Sequence, residues 1–165
     1  MTTVCYKDGI LAFDSRISDG EMHYGWTNKG RITNKYIMAA CGSLEDMEAA
    51  MDWIEHTDGK ISEKEKYGLH EREVDCEVIV VDTQGKVKFF GQRLYPTTLD
   101  ALYYAIGSGA PYAMGAMAVG KSAKEAVHAA AKHDLATGGY VRQLKITNIG
   151  ARPKVNRTTK KKAKK

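Results

Sequence analysis

Two pairs of short apolar runs, each folded back by a glycine turn, constrain this chain more than any other feature. Thr3–Lys7 and Ile10–Phe13 flank Lys7-Asp8-Gly9, while Cys76–Asp82 and Lys86–Phe90 flank Thr83-Gln84-Gly85. Glycine supplies the positive φ of a tight turn, so each pair predicts an antiparallel hairpin. Tyr36-Ile37-Met38-Ala39-Ala40 reads as a buried strand ending at Cys41-Gly42-Ser43, and Tyr103-Tyr104-Ala105-Ile106 as another short strand. Between them a helix starts at the N-cap Ser43, with Glu45 and Asp46 in its first turn. Leu44, Met47, Met51 and Ile54 then recur at helical spacing through about His56.

The small residues of Ala110–Val119 predict a helix packed closely on a sheet. Ser122 and Glu125 form a capping box for a second helix, from Ala123 to about Leu135. Gly138-Gly139 stops it, and Tyr140–Ile146 reads as a final strand. Asp14–Thr33 carries no apolar periodicity and predicts an irregular hairpin or a loop. Asp58–Arg72 is highly charged, either a helical extension or a surface excursion. The order strands, helix, strands, helices, strand predicts an α+β sandwich rather than a doubly wound parallel sheet.

The 165 residues suit one domain with a substantial core, and 43% hydrophobic and 27% charged content is ordinary for a globular protein. The net charge of +5 misleads, because eight basic and no acidic residues lie between Arg152 and Lys165, which leaves the first 151 residues at −3. We therefore expect a single domain over 1–151 and a basic tail over 152–165. The tail reads as a disordered, solubilising end, with nonspecific nucleic-acid contact as the competing reading. No apolar run reaches membrane-spanning length and residues 1–30 lack a signal pattern, so the expected location is cytoplasmic, with no membrane partner. Cys5, Cys41 and Cys76 lack paired spacing and read as reduced, buried thiols. The five histidines share no metal spacing; neither a metal nor a cofactor is expected.

Thr2, directly behind the initiator methionine, is the residue with chemistry to offer. Removal of Met1, usual before a small second residue, would give it a hydroxyl and a free α-amine together. That amine titrates near about pH 8 and can act as a base at neutral pH. A threonine activated by its own amine is a recognised nucleophile.

Further pieces follow in order: Thr2-Thr3-Val4, Ala12-Phe13-Asp14-Ser15-Arg16, Ala40-Cys41-Gly42-Ser43, Gly107-Ser108-Gly109-Ala110-Pro111-Tyr112-Ala113 and Asp134-Leu135-Ala136-Thr137-Gly138-Gly139. On these the chain resembles β-type proteasome subunits and the simpler HslV peptidases, within the N-terminal-nucleophile hydrolases, from about Thr2 to Ile146. The resemblance implies a four-layer αββα sandwich and a threonine endopeptidase acting on unfolded polypeptide inside a homo-oligomeric ring, fed by an ATP-dependent unfoldase. With only Met1 ahead of Thr2, it implies the simple self-assembling type.

It also implies residue roles. Thr2 resembles the nucleophile, and Asp14 the aspartate that pairs with a buried catalytic lysine. Lys29 is the first candidate for that lysine, although the family usually places an aliphatic residue where Gly30 stands; Lys35 is the second. Gly42 resembles the glycine whose N–H forms the oxyanion hole, and such a donor contributes about 10²–10³ in rate. Ser108, Asp134 and Thr137 match groups that support the threonine amine. Substrate would pair in extended form around Ser18 and Gly42, with Ala40 lining a side-chain pocket. Two other readings compete: an N-terminal-nucleophile hydrolase of a small amide, and a non-catalytic scaffold that binds nucleic acid through its tail.

Overall fold

The structure is a computed structural model and describes residues 2–19, 22–69 and 73–150. The basic stretch 152–165 lies outside the described residues. Among the described residues eleven strands run in chain order as β1 Thr3–Lys7, β2 Ile10–Phe13, β3 Arg16–Asp19, β4 Met22–Trp26, β5 Gly30–Ile32, β6 Tyr36–Gly42, β7 Cys76–Asp82, β8 Val87–Phe90, β9 Pro96–Leu99, β10 Tyr103–Gly107 and β11 Arg142–Lys145. The α-helices are α1 Leu44–Thr57, α2 Ala110–Ala118 and α3 Ala123–Ala130. A mixed α and β fold on antiparallel sheets results. One sheet has the order β10-β1-β2-β11, a second β5-β6-β7-β8-β9, and β3 pairs with β4 alone.

The two-residue period of a strand sorts its side chains between cores. In β6, Met38 and Ala40 join Met47, Met51, Trp53 and Ile54 of α1, while Ile37, Ala39 and Cys41 face the other sheet. In β1, Val4 and Tyr6 enter the core between the sheets, and Cys5 faces Ala113, Met117, Ala126 and Val127 of α2 and α3. α1 has the expected Ser43 cap, accepting from Asp46 N–H, and ends at Asp58 in the left-handed region with φ 54°. Its buried methionine, tryptophan and isoleucine side chains contribute about 1.5–3 kcal/mol each, so packing rather than intrinsic propensity holds the helix.

Several boundaries differ from the sequence reading. The segment after Asp14 contains the hairpin β3–β4, with a register shift at Ile17 and Ser18, and the short strand β5. Ile61–Tyr67 is a 3₁₀ helix inside the charged excursion. α3 ends at Ala130 rather than near Leu135, because its last turn tightens: His133 N–H and Asp134 N–H both bond the Ala130 carbonyl. The final strand is confined to Arg142–Lys145, followed by a 3₁₀ turn. β9, an edge strand that pairs with β8, had no counterpart in the sequence reading.

Candidate active site

The strand ends gather the chemistry. The register Val4↔Phe13 between β1 and β2 sets Thr3 beside Asp14, where Thr3 N–H donates to Asp14 Oδ1 at 3.0 Å. Pairing of β1 with β10 places Thr3 opposite Gly107. Pairing of β5 with β6, extended by the bond from Ala40 N–H to the Lys29 carbonyl, carries Lys29 in from the second sheet.

Lys29, Asp14 and Thr2 meet there. Lys29 Nζ donates to Thr2 Oγ1 at 2.5 Å and lies 3.2 Å from each oxygen of Asp14. Thr2 and Lys29 are 2% exposed, and Asp14 is fully buried. Asp14 also accepts from Arg16 N–H at 3.1 Å and Gly138 N–H at 3.0 Å, so three backbone donors and one ammonium surround it. A buried charge is tolerated only with such compensation. Burial pushes the Lys29 ammonium below its ordinary range, and the adjacent Asp14 carboxylate opposes that shift. Lys35, the second candidate, instead pairs with Asp58 at the surface, its side chain 62% exposed. That removes it from the cluster.

A second polar chain lies beside the first. Ser108 Oγ donates to Asp134 Oδ2 at 2.6 Å, and Thr137 Oγ1 donates to the same oxygen at 2.5 Å. Thr137 has thereby spent its single proton, so Thr3 Oγ1 is the donor across the 2.5 Å contact between the two hydroxyls. Partial burial raises the Asp134 carboxyl; the bonds from Ser108, Thr137 and Ala136 N–H outweigh it and hold the group below its ordinary value.

Glycine is required at two close approaches. A Cβ on Gly42, at φ +123°, would lie 2.0 Å from the Asp75 carbonyl oxygen, and one on Gly107, at φ +90°, would lie 1.9 Å from the Thr2 carbonyl oxygen. Gly30 has an analogous cause: the Phe13 ring fills the space where its Cβ would stand, 2.4 Å from two ring carbons.

Thr2 borders two cavities. One of about 140 Å³ is lined by Thr2, Arg16, Ser18, Lys29, Gly42 and Leu44 among others. The other, of about 320 Å³, is lined by Thr2, Cys41, Gly42, Glu77, Gly107 and Ser108 among others. Ser18 and Gly42 thus share a wall of the first. Ala40 lines neither: its side chain is packed under α1 in the core. Sequence reasoning missed Thr3, Gly107 and the N–H groups of Arg16 and Gly138. A second buried hydroxyl in Thr2-Thr3 was the available signal for the first; backbone donors leave no trace in side-chain identity.

Neither a protein-family model nor a curated protein matches the sequence. Solved structures do match. BPH of Thiobacillus denitrificans in complex with epoxomicin has 21% identity and a TM-score of 0.67, over 87% of this chain and 96% of that one. A second structure of Thiobacillus denitrificans BPH has 21% identity and a TM-score of 0.66, over 87% of this chain and 95% of that one. Eukaryotic HslV from Trypanosoma brucei has 19% identity and a TM-score of 0.64, over 87% of this chain and 98% of that one. The chain has the fold of the HslV and proteasome β-type subunits.

Proposed function

We propose that this chain is a threonine-type endopeptidase with Thr2 as its nucleophile, a four-layer αββα subunit working on unfolded polypeptide within a ring of its own copies. The observation that carries the reading is the buried contact of Lys29 Nζ with Thr2 Oγ1 at 2.5 Å, with Asp14 3.2 Å behind the ammonium. An ammonium donating to Oγ1 stabilises negative charge as it develops there, and Asp14 keeps that ammonium paired at low dielectric.

With Met1 removed, Thr2 Oγ1 attacks the scissile carbonyl while its proton passes, through a water, to the Thr2 amine. The Gly42 N–H is the donor assigned to the oxyanion. Collapse of the tetrahedral intermediate breaks the C–N bond, and the proton held by the Thr2 ammonium leaves with the departing amine. A water then attacks the ester, gives its proton to the Thr2 amine, and restores the hydroxyl as the acid product leaves. Ser108, its proton committed to Asp134, has only lone pairs to offer an ammonium nearby. Asp134 and Thr137 are assigned to fixing that orientation, and Ser18 and Gly42 to holding the substrate backbone. An ATP-dependent unfoldase as feeding partner belongs to the same proposal.

Thr2→Ala removes the hydroxyl and keeps the amine. Hydrolysis of an unfolded protein substrate is expected to fall to background in that variant, with its native mass unchanged, and the intact mass of the active protein should lack Met1. Wild-type turnover by Thr2→Ala, or an active protein that retains Met1, would overturn the mechanism.

A further inference from the structure

The larger cavity beside Thr2 has a charge character that the proposed chemistry does not use. Its wall includes Asp75, Glu77 and Gln92, and among the described residues that line it there is no lysine or arginine. Glu77 lies opposite Cys41 across β6 and β7, next to the pair Gly42↔Cys76, so strand register fixes its carboxylate within two residues of the oxyanion glycine. Its side chain accepts from the Cys41 thiol at 3.7 Å, a weak bond. Among the described residues neither Asp75 nor Glu77 has an ion-pair partner, whereas Asp14, Glu48, Asp52, Glu55 and Asp58 all have one.

Cys41 adds no charge. Burial, reinforced by the Glu77 carboxylate, pushes its thiol well above the ordinary range, so it stays protonated. The cavity is therefore a room of about 320 Å³ whose described walls are net negative, with the proposed nucleophile among its lining residues. A half-buried carboxylate without a cation is a cost that a bound cation removes, and the same carboxylate repels an anionic competitor; one group thus supplies attraction and rejection. The smaller cavity that also borders Thr2 has Arg16 and Lys29 in its wall instead.

We propose that Glu77, with Asp75 at the rim, selects a lysine or arginine side chain at one of the two substrate positions that flank the cut bond. The proposal rests on the peptidase reading and goes beyond it by naming the substrate class. Glu77 is the principal determinant, because it is half-buried where Asp75 is exposed.

The test uses the assembled wild-type protein and a peptide set in which lysine, leucine or glutamate occupies each flanking position in turn. At one position kcat/KM for lysine should exceed that for glutamate by about 100-fold, and Glu77→Gln should shrink that ratio by about tenfold. Charge reversal guards against a variant that merely folds badly: Glu77→Lys should raise cleavage of the glutamate peptide above the wild-type rate, a gain that misfolding cannot produce. Hydrolysis that depends on Thr2 yet shows no charge preference at either position would overturn this assignment alone. A preference that survives in both variants would do the same. Failure of the wild type to cleave any peptide in the set would overturn the peptidase reading, and this proposal with it.

Discussion

Lys29 and Arg31 are separated by one glycine, yet they hold charge in opposite ways. Lys29 is 2% exposed and faces a single carboxylate, Asp14. Arg31 is 25% exposed and faces three, from Glu48, Asp52 and Glu55 along α1. Burial lowers the Lys29 ammonium in spite of its partner. Burial also acts to lower Arg31, but the hydrogen bonds from its guanidinium to Asp52 and Glu55 outweigh it and leave the group raised. A solvated cluster clamps β5 to α1 at little cost and little gain. A buried one-to-one pair is expensive to assemble, and under the proposed function its use lies in the hydroxyl it points at rather than in stability.

Removing the buried cation should have the larger effect. Lys29→Ala is expected to abolish hydrolysis and to cost about 3 kcal/mol of stability, the low end for a broken buried pair because three N–H groups still surround Asp14. Denaturant unfolding beside a turnover assay checks both. A variant of wild-type stability that still hydrolyses would show the two cations to be equivalent.

A smaller effect is expected with pH. The folded value of Lys29 is lowered from its ordinary 10.5. Between the lowered value and 10.5 the unfolded chain keeps a proton that the folded chain has released, so this group adds stability as pH rises across that window. The stability difference between wild type and Lys29→Met should climb in favour of the wild type over that range. A difference that fell with pH would mean that Asp14 outweighs burial.

Arg31→Ala should have the least effect: about 1 kcal/mol or less in stability, diminishing with added salt, and unchanged turnover. Loss of hydrolysis in that variant would erase the contrast between the two cations.

The hairpins of β1–β2 and β7–β8 and the capped helix α1 were legible because local chemistry dictates them: a turn glycine, a cap, a repeating apolar face. β9 was not, since Pro96-Thr97-Thr98-Leu99 is a largely exposed edge strand without an apolar alternation. The end of α3 was hidden for a related reason, as an alanine-rich run continues its pattern past the point where hydrogen bonding tightens at Ala130. Of the site, the side chains were legible through their resemblance and order. The choice between Lys29 and Lys35 was not, because it depends on which of two nearby lysines the β5–β6 pairing carries inward. Ala40 was assigned to a pocket wall, but strand alternation sends it into the core under α1.

The Phe13 ring standing where a Gly30 side chain would be has a consequence for sequence drift. These two positions, on strands of different sheets, share a single allotment of volume. A relative with an aliphatic residue at position 30 must carry something smaller at 13, and a change at either one alone would be felt through Lys29 and Asp14, the residues next to them in the chain. The pair should therefore vary together or not at all, which links the apolar core between the two sheets to the spacing of Lys29 and Asp14.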